Sequence, residues 1–181
     1  LAEAEIEYQD ESTDSVFVKF ALADDLAAEF PALKGKRVSV VVWTTTPWTL
    51  PANLAVALHP DFEYVAVDVG GEEVYVLARD LVDSCMASFG RPDHAILARL
   101  DPRKLERKAC RHPFYQRDAI IVLGPHVTLE AGTGCVHTAP GHGREDHEVG
   151  LEYGLEAYSP VDDRGRFTPE VEFFSGQFVF D

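Results

Sequence analysis

The chain has 181 residues, and 16 Lys+Arg against 31 Asp+Glu give it a formal charge of −15. That acidity excludes a self-sufficient nucleic-acid binder held by phosphate contacts. With 46% hydrophobic and 26% charged residues, the composition is that of an ordinary globular domain, long enough to bury a sizeable core without disulfides.

Residue 1 is Leu, and 4–8 reads as the approach to a strand, so a segment of a longer chain is expected. Short runs rich in Val, Ile, Phe and Tyr follow at 16–20 and 37–43, with a helix expected between them over 24–30. Segments 64–69 and 73–77 read as two strands joined through Gly70 and Gly71, whose tolerance of positive φ suits a tight hairpin. A helix over 79–89 is expected from the near-helical spacing of Leu81, Val82, Cys85 and Phe89. Strands at 94–97 and 119–123 come next, then a helix over 144–153 with Glu145 and Asp146 in its first turn. Many short strands with few helices predict a mainly β domain, a closed or nearly closed β-barrel with peripheral helices; a sandwich stays open as the alternative. No linker-like tract or repeat divides the sequence, so residues 1–181 read as one domain.

The apolar runs 38–43 and 119–123 are far shorter than the ~20 residues that cross a bilayer, and the expected location is soluble and cytoplasmic. Cys85, Cys110 and Cys135 are an odd number without C-x-x-C spacing, which suggests neither a disulfide framework nor a thiolate metal site. One Asn, three Gln and a preference for Arg over Lys hint at a thermophilic source.

Two stretches carry candidate chemistry. The first, from Trp43 to Asn53 (WTTTPWTLPAN), presents four hydroxyls, an amide and two indoles. Its two prolines force the backbone out of regular pairing, so an irregular loop on a rigid base is expected. A purely structural Thr-rich turn is the competing reading. The second runs from Ala131 to His147 and holds Gly132, Gly134, Gly141, Gly143 and Pro140. Its glycine spacing matches neither a dinucleotide loop nor a Walker A motif. His137, His142 and His147 recur every five residues and invite a zinc hypothesis, yet that spacing turns each residue ~140° from the last on a helix and alternates faces on a strand. No Cys or carboxylate spacing supports a metal, and no metal or cofactor is expected. Cys135 with His137 permits a nucleophile and base, but nothing in the sequence marks a depressed-pKa thiolate. Asp146 at a helix start has the bland alternative of complementing the helix dipole.

Taken together, VWTTTPWTLPAN at 42–53 and GTGCVHTAPGHG at 132–143, with Glu145 and Asp146, resemble the editing domain of isoleucyl-tRNA synthetase, an insertion in a class I synthetase. The motif-level match covers 38–61 and 130–168, including YSPVDD at 158–163. Valyl and leucyl relatives usually carry Arg at the position of Thr46 and an acidic residue at that of Trp48, and His137 also favours the isoleucyl branch. Arg144 and His147 depart from the family's usual acidic and aromatic residues. The H-x-G-H and K-M-S-K-S signatures of amino-acid activation are absent from the sequence.

The resemblance implies hydrolytic proofreading of Val-tRNA, with valyl adenylate as a further substrate. A pocket sized for isoleucine rejects valine by only ~1–3 kcal/mol, because one methylene is missing; this synthetase is itself the familiar example of that limit, and the magnitude belongs to that example. In the implied roles, Asp146 pairs with the α-ammonium of the substrate, Thr44, Thr45, Thr46 and Asn53 hold the ester, terminal ribose and attacking water, and Trp48 and His137 wall the side-chain pocket. Implied partners are the 3′ end of a misacylated tRNA, weakly held by this domain alone, and the remainder of the synthetase, with no membrane. Two alternatives are a valyl-type domain clearing Thr-tRNA and a non-catalytic barrel that positions the tRNA 3′ end.

Overall fold

A computed structural model describes residues 14–181. The expected strand approach at 4–8 therefore lies outside the described residues. Among the described residues nine strands make one sheet: β1 (Val16–Leu22), β2 (Arg37–Thr44), β3 (Ala55–Leu58), β4 (Tyr64–Asp68), β5 (Glu73–Ala78), β6 (Ala95–Leu100), β7 (Ala109–Arg111), β8 (Asp118–Leu123) and β9 (Cys135–Thr138). Three α-helices lie among them, α1 (Val82–Ser88), α2 (Pro102–Leu105) and α3 (Arg144–Tyr153).

The order across the sheet is β6-β4-β5-β2-β1-β7-β8-β3-β9. Most pairs are antiparallel, but β2 with β5 and β3 with β8 run parallel. The mainly β architecture matches the expectation. Among the described residues the backbone ladder ends at β6 and β9 and no pairing joins them, so full closure by hydrogen bonding is not made. The sheet nevertheless curls until β9 lies against β2.

Side-chain alternation places the core. Val40, Val42, Phe20, Val56, Leu58, Val76 and Ile121 point into the concave interior, where Tyr64 is fully buried with them. Val41, on the other face of β2, packs with Val65, Val67 and Leu77 beneath Val82, Cys85 and Met86 of α1. On the opposite flank Ala55, Ala57 and Val122 are covered by Val149 of α3. Strands buried on both faces read as continuous apolar runs, which is why 37–43 and 64–69 carry so little polar alternation.

The 64–69 and 73–77 hairpin forms as expected, with Gly70 and Gly71 at φ 97° and 63°. The expected helix over 79–89 appears as a 3-10 turn (Arg79–Leu81) leading into α1. The helix expected over 24–30 does not form. Asp25 Oδ1 accepts the Ala27 N–H at 2.9 Å, one turn closes from Phe30 N to Leu26 O, and Pro31 then disfavours helical geometry at Phe30. Leu26 and Phe30 bury themselves from this irregular turn instead.

Candidate active site

The β2 strand delivers Thr44 to the sheet's rim, and the chain then tightens into a 3-10 turn over Pro47–Ala52. Pro47 sits at the first turn, where its missing N–H is harmless. The turn is tied down from outside: His112 Nε2 donates to the Leu50 carbonyl at 2.9 Å, and Arg117 Nη2 donates to the Pro51 carbonyl. Within the loop, the Thr46 N–H donates to Thr44 Oγ1 at 3.1 Å, and the two hydroxyls are 3.3 Å apart.

The glycine-rich stretch is anchored from the sheet. Tyr64 donates its hydroxyl to the Gly134 carbonyl at 2.6 Å, and the Ala78 N–H donates to the Thr133 carbonyl at 2.9 Å. Gly134 has φ 73°, and a Cβ there would stand 2.3 Å from that of Ala78. From this anchor β9 runs beside β3 and sets His137 opposite Val56. A further close approach follows at Gly141, where a Cβ would come within 2.2 Å of the Tyr158 carbonyl oxygen. The chain then enters α3, where Asp146 Oδ2 accepts the Ala139 N–H at 2.8 Å.

These segments enclose a cavity of about 250 Å³ lined by Trp43, Thr44, Thr46, Trp48, Thr49, Val136, His137, His142 and Asp146. It adjoins a cleft of about 680 Å³, which shares Trp43, Thr44, Val136 and Asp146 and adds Thr45, His126, Glu130 and residues 131–135. Of the residues expected at the site, Thr44, Thr46, Trp48, His137 and Asp146 meet around the cavity, and Thr45 lines the cleft. Asn53 differs. It is fully buried and lines neither space; its Nδ2 donates to the Ala55 carbonyl at 2.8 Å and lies 3.0 Å from His137 Nδ1. The structure places Asn53 behind His137, because Asn53 caps the end of the 3-10 turn and β3 begins two residues later.

His137 is 7% exposed, and Thr49 Oγ1 lies 2.7 Å from its Nε2. Burial lowers its pKa to about 4, aided by the neighbouring His112 and His142. Burial likewise raises the carboxyl of Asp146 above the ordinary value, against the opposing pull of the Ala139 N–H and of His126. Trp48 meets the His142 ring edge-on with centroids 5.2 Å apart.

The competing chemistries fit less well. Cys135 is buried, burial pushes its thiol far up, and its Sγ faces the Val76 carbonyl, while both His137 nitrogens face other partners. Cys135 and His137 are not a nucleophile and its base. His147 is exposed, and among the described residues no three His, Cys, Asp or Glu side chains are gathered to hold a metal. Arg144 is exposed and pairs with Glu148 at 3.0 Å, so its departure from the family pattern leaves Asp146 undisturbed. Four further residues, Trp43, Thr49, Val136 and His142, line the cavity without having been assigned a place in it from sequence. Of these only Thr49 carries a signal, its place three residues after Thr46, which a 3-10 turn brings onto the same side.

The fold is similar to that of solved editing domains of aminoacyl-tRNA synthetases. Solved structures of the cytosolic leucyl-tRNA synthetase editing domains of P. knowlesi and P. falciparum align with TM-scores of 0.64 each, at 13% and 12% identity, over 77% and 81% of this chain and 64% and 71% of theirs. Along its whole length the chain is similar to isoleucine–tRNA ligases. It is 59% identical over 181 residues to the Isoleucine--tRNA ligase of Geobacter sulfurreducens and 58% identical over 182 residues to that of Desulfovibrio desulfuricans, in each case along 100% of this chain. The chain spans 19% of the length of either relative. No protein-family model matches it.

Proposed function

We propose that this domain hydrolyses the ester of tRNA misacylated with valine, as the second sieve of an isoleucine–tRNA ligase, and that valyl adenylate is a second substrate. The observation that carries the reading is the small cavity itself: one carboxylate, three threonine hydroxyls and the rings of Trp43, Trp48, His137 and His142 line it. Asp146 already gives Oδ2 to the Ala139 N–H, and its second oxygen takes the substrate's α-ammonium through a charge-assisted bond. An ammonium in the cavity also reverses the unfavourable burial of that carboxylate.

Thr44 and Thr46 orient the ester and the attacking water. Their hydroxyls are far too weakly acidic to act as bases near neutrality, so their part is positioning. An aminoacyl ester is already activated, and orientation of water with support of the developing oxyanion suffices without a covalent intermediate. His137 and Trp48 limit the length of the acyl side chain; valine fits, and the extra methylene of isoleucine collides. The adjoining cleft, with Thr45 on its wall, takes the terminal ribose and base. The −15 charge opposes a polyanion, so the rest of the synthetase supplies the basic contacts that hold the tRNA body. The curl that brings β9 against β2 supports reading the sheet as a nearly closed barrel that forms one module, 1–181, of the longer protein.

The deciding experiment follows deacylation of Val-tRNA, Ile-tRNA and Thr-tRNA, all charged on the isoleucine tRNA, by the full-length ligase carrying this domain. Preferential release of valine is expected. Preferential release of threonine would assign valyl-type editing, and release of none would leave only a positioning role for the tRNA 3′ end.

A further inference from the structure

Among the described residues, two that are not glycine hold a positive φ, Arg107 at 64° and Phe173 at 74°. That region is sterically costly for any side chain with a Cβ, and a bulky ring is an outlier there. Arg107 is held in it by its surroundings: its N–H donates to the Ile121 carbonyl at 2.8 Å, and its guanidinium lies 4.9 Å over the Tyr153 ring. Phe173 is different. Its ring is 66% exposed, so burial does not offset the strain, and glycine would take the same turn freely.

The conformation aligns two rings. Phe173 lies parallel to Tyr115, with 6° between the planes and 6.3 Å between the centroids. Tyr115 is itself fixed: its hydroxyl donates to the Glu172 carbonyl at 2.9 Å, the His112 ring stacks on it with centroids 4.9 Å apart, and the Arg117 guanidinium stands 5.2 Å from its centroid. His112 and Arg117 also hold the 3-10 turn beside the cavity, so the ring pair and the site share one frame. The sequence neighbours of the pair, Phe114 and Phe174, line an apolar groove of about 520 Å³ that reaches Trp48, and Trp48 lines the cavity as well. Aromatic faces therefore lead from the cavity out to the exposed pair.

An open ring with a second ring parallel to it suits a flat π-system, and stacking of this kind does not depend on charge. That matters on a chain of charge −15, where Glu170 and Glu172 of the same turn are exposed and oppose a phosphate. An acidic surface can hold a nucleic acid by its bases where it cannot by its backbone. We propose that Phe173, backed by Tyr115, is a stacking platform for an unpaired nucleobase of the tRNA acceptor end, on the 5′ side of the nucleotide whose ester enters the cavity. This rests on the editing reading for the identity of the nucleic acid. Stacking there holds the single strand at a fixed reach from the cavity.

The test uses the full-length ligase and the isoleucine tRNA. Phe173→Gly suits the backbone at φ 74° and removes the ring, so the unfolding midpoint should stay the same or rise. KM for Val-tRNA deacylation should rise at least roughly fivefold, the low end of what one stacked base is worth, while Phe173→Trp stays near the parent. Hydrolysis of 3′-O-valyladenosine, which has no upstream base, should be alike in Phe173→Gly and the parent. An unchanged KM for Val-tRNA, an equal loss on both substrates, or a lowered unfolding midpoint overturns the proposal, the last because the ring then serves packing within the ligase. Binding is read separately with uncharged tRNA carrying 2-aminopurine at either of the two positions before the terminal adenosine. At one of them the parent should quench the fluorescence and Phe173→Gly should quench it less. Equal quenching by both proteins at both positions removes the platform whatever the enzyme hydrolyses. A parent that quenches more than Phe173→Gly but releases no valine instead defeats the editing reading and leaves the platform standing.

Discussion

The two adjoining spaces of the site are built on different principles. The cavity of about 250 Å³ is walled by rings and hydroxyls that hold one another: Trp48 against His142, His137 between Thr49 and Asn53, Thr46 on Thr44. The cleft of about 680 Å³ is lined by the glycine-containing stretch 131–135 together with Thr45, His126, Thr128 and Glu130. Interlocked side chains can measure a difference of one methylene, because each is kept in place by the next. A wide cleft whose lining includes Gly132 and Gly134 offers room but no such interlock. On the proposed reading, size discrimination belongs to the cavity and accommodation of the nucleotide to the cleft, with Asp146 lining both.

Substitutions that separate the two spaces test that division, beginning with the residue they share. Asp146→Ala should lower Val-tRNA deacylation by about two orders of magnitude, since a charge-assisted bond of ~1.5–3 kcal/mol is lost together with orientation of the ester. The lost acceptor for the Ala139 N–H should lower unfolding stability by only ~1 kcal/mol. Wild-type rates in this variant would remove the boundary residue and with it the link between the spaces. His137→Ala should act on selectivity, with the ratio of Ile-tRNA to Val-tRNA deacylation rising roughly 10-fold or more, as one methylene is worth ~1–3 kcal/mol. Both rates falling with an unchanged ratio would give His137 a chemical role in place of a steric one.

Acid should loosen the cavity while the chain is still largely folded. His137 and His112 each have a folded pKa of about 4, lowered chiefly by burial from the ordinary 6.5. Between those values the unfolded chain binds more protons than the folded one, so stability declines as pH falls from about 6.5 toward 4 and levels off below. Each buried histidine contributes a slope of ~1.4 kcal/mol per pH unit in that window. Denaturant unfolding from about pH 7 down to about pH 4 should show the decline, and His112→Asn should remove about half of it. A flat profile would mean that neither ring is held neutral.

Much of this is legible in the residues themselves. The Gly70–Gly71 hairpin, the 79–89 helix and the start of α3 can be read because glycine pairs, apolar spacing and first-turn acids act locally. The strands Ala55–Leu58, Ala109–Arg111 and Cys135–Thr138 cannot, since each is only three or four residues long and owes its form to partners far along the chain. At the site, Asp146 and the Thr run stand out because their chemistry is exposed by motif. The contacts of Asn53 and Thr49 with His137 are not legible, because both depend on the depth at which β3 and β9 bury His137.

Thr45 offers the smallest effect and the finest separation. It follows Thr44 directly, but it lines the cleft and not the cavity. Thr45→Ala leaves the Thr44–Thr46 hydroxyl pair, the Asp146 carboxylate and the His137 wall in place. If the cleft only accommodates the nucleotide, the loss is uniform binding, felt equally by valyl and isoleucyl esters and equally before and during hydrolysis. KM for Val-tRNA should then rise a few-fold, in line with ~1 kcal/mol for one neutral hydrogen bond, with kcat and the Ile-to-Val ratio unchanged. Steady-state deacylation on both substrates measures all three quantities. A fall in kcat would place Thr45 beside the reacting ester, and a shift in the ratio would mean that cleft and cavity do not divide accommodation from measurement at all.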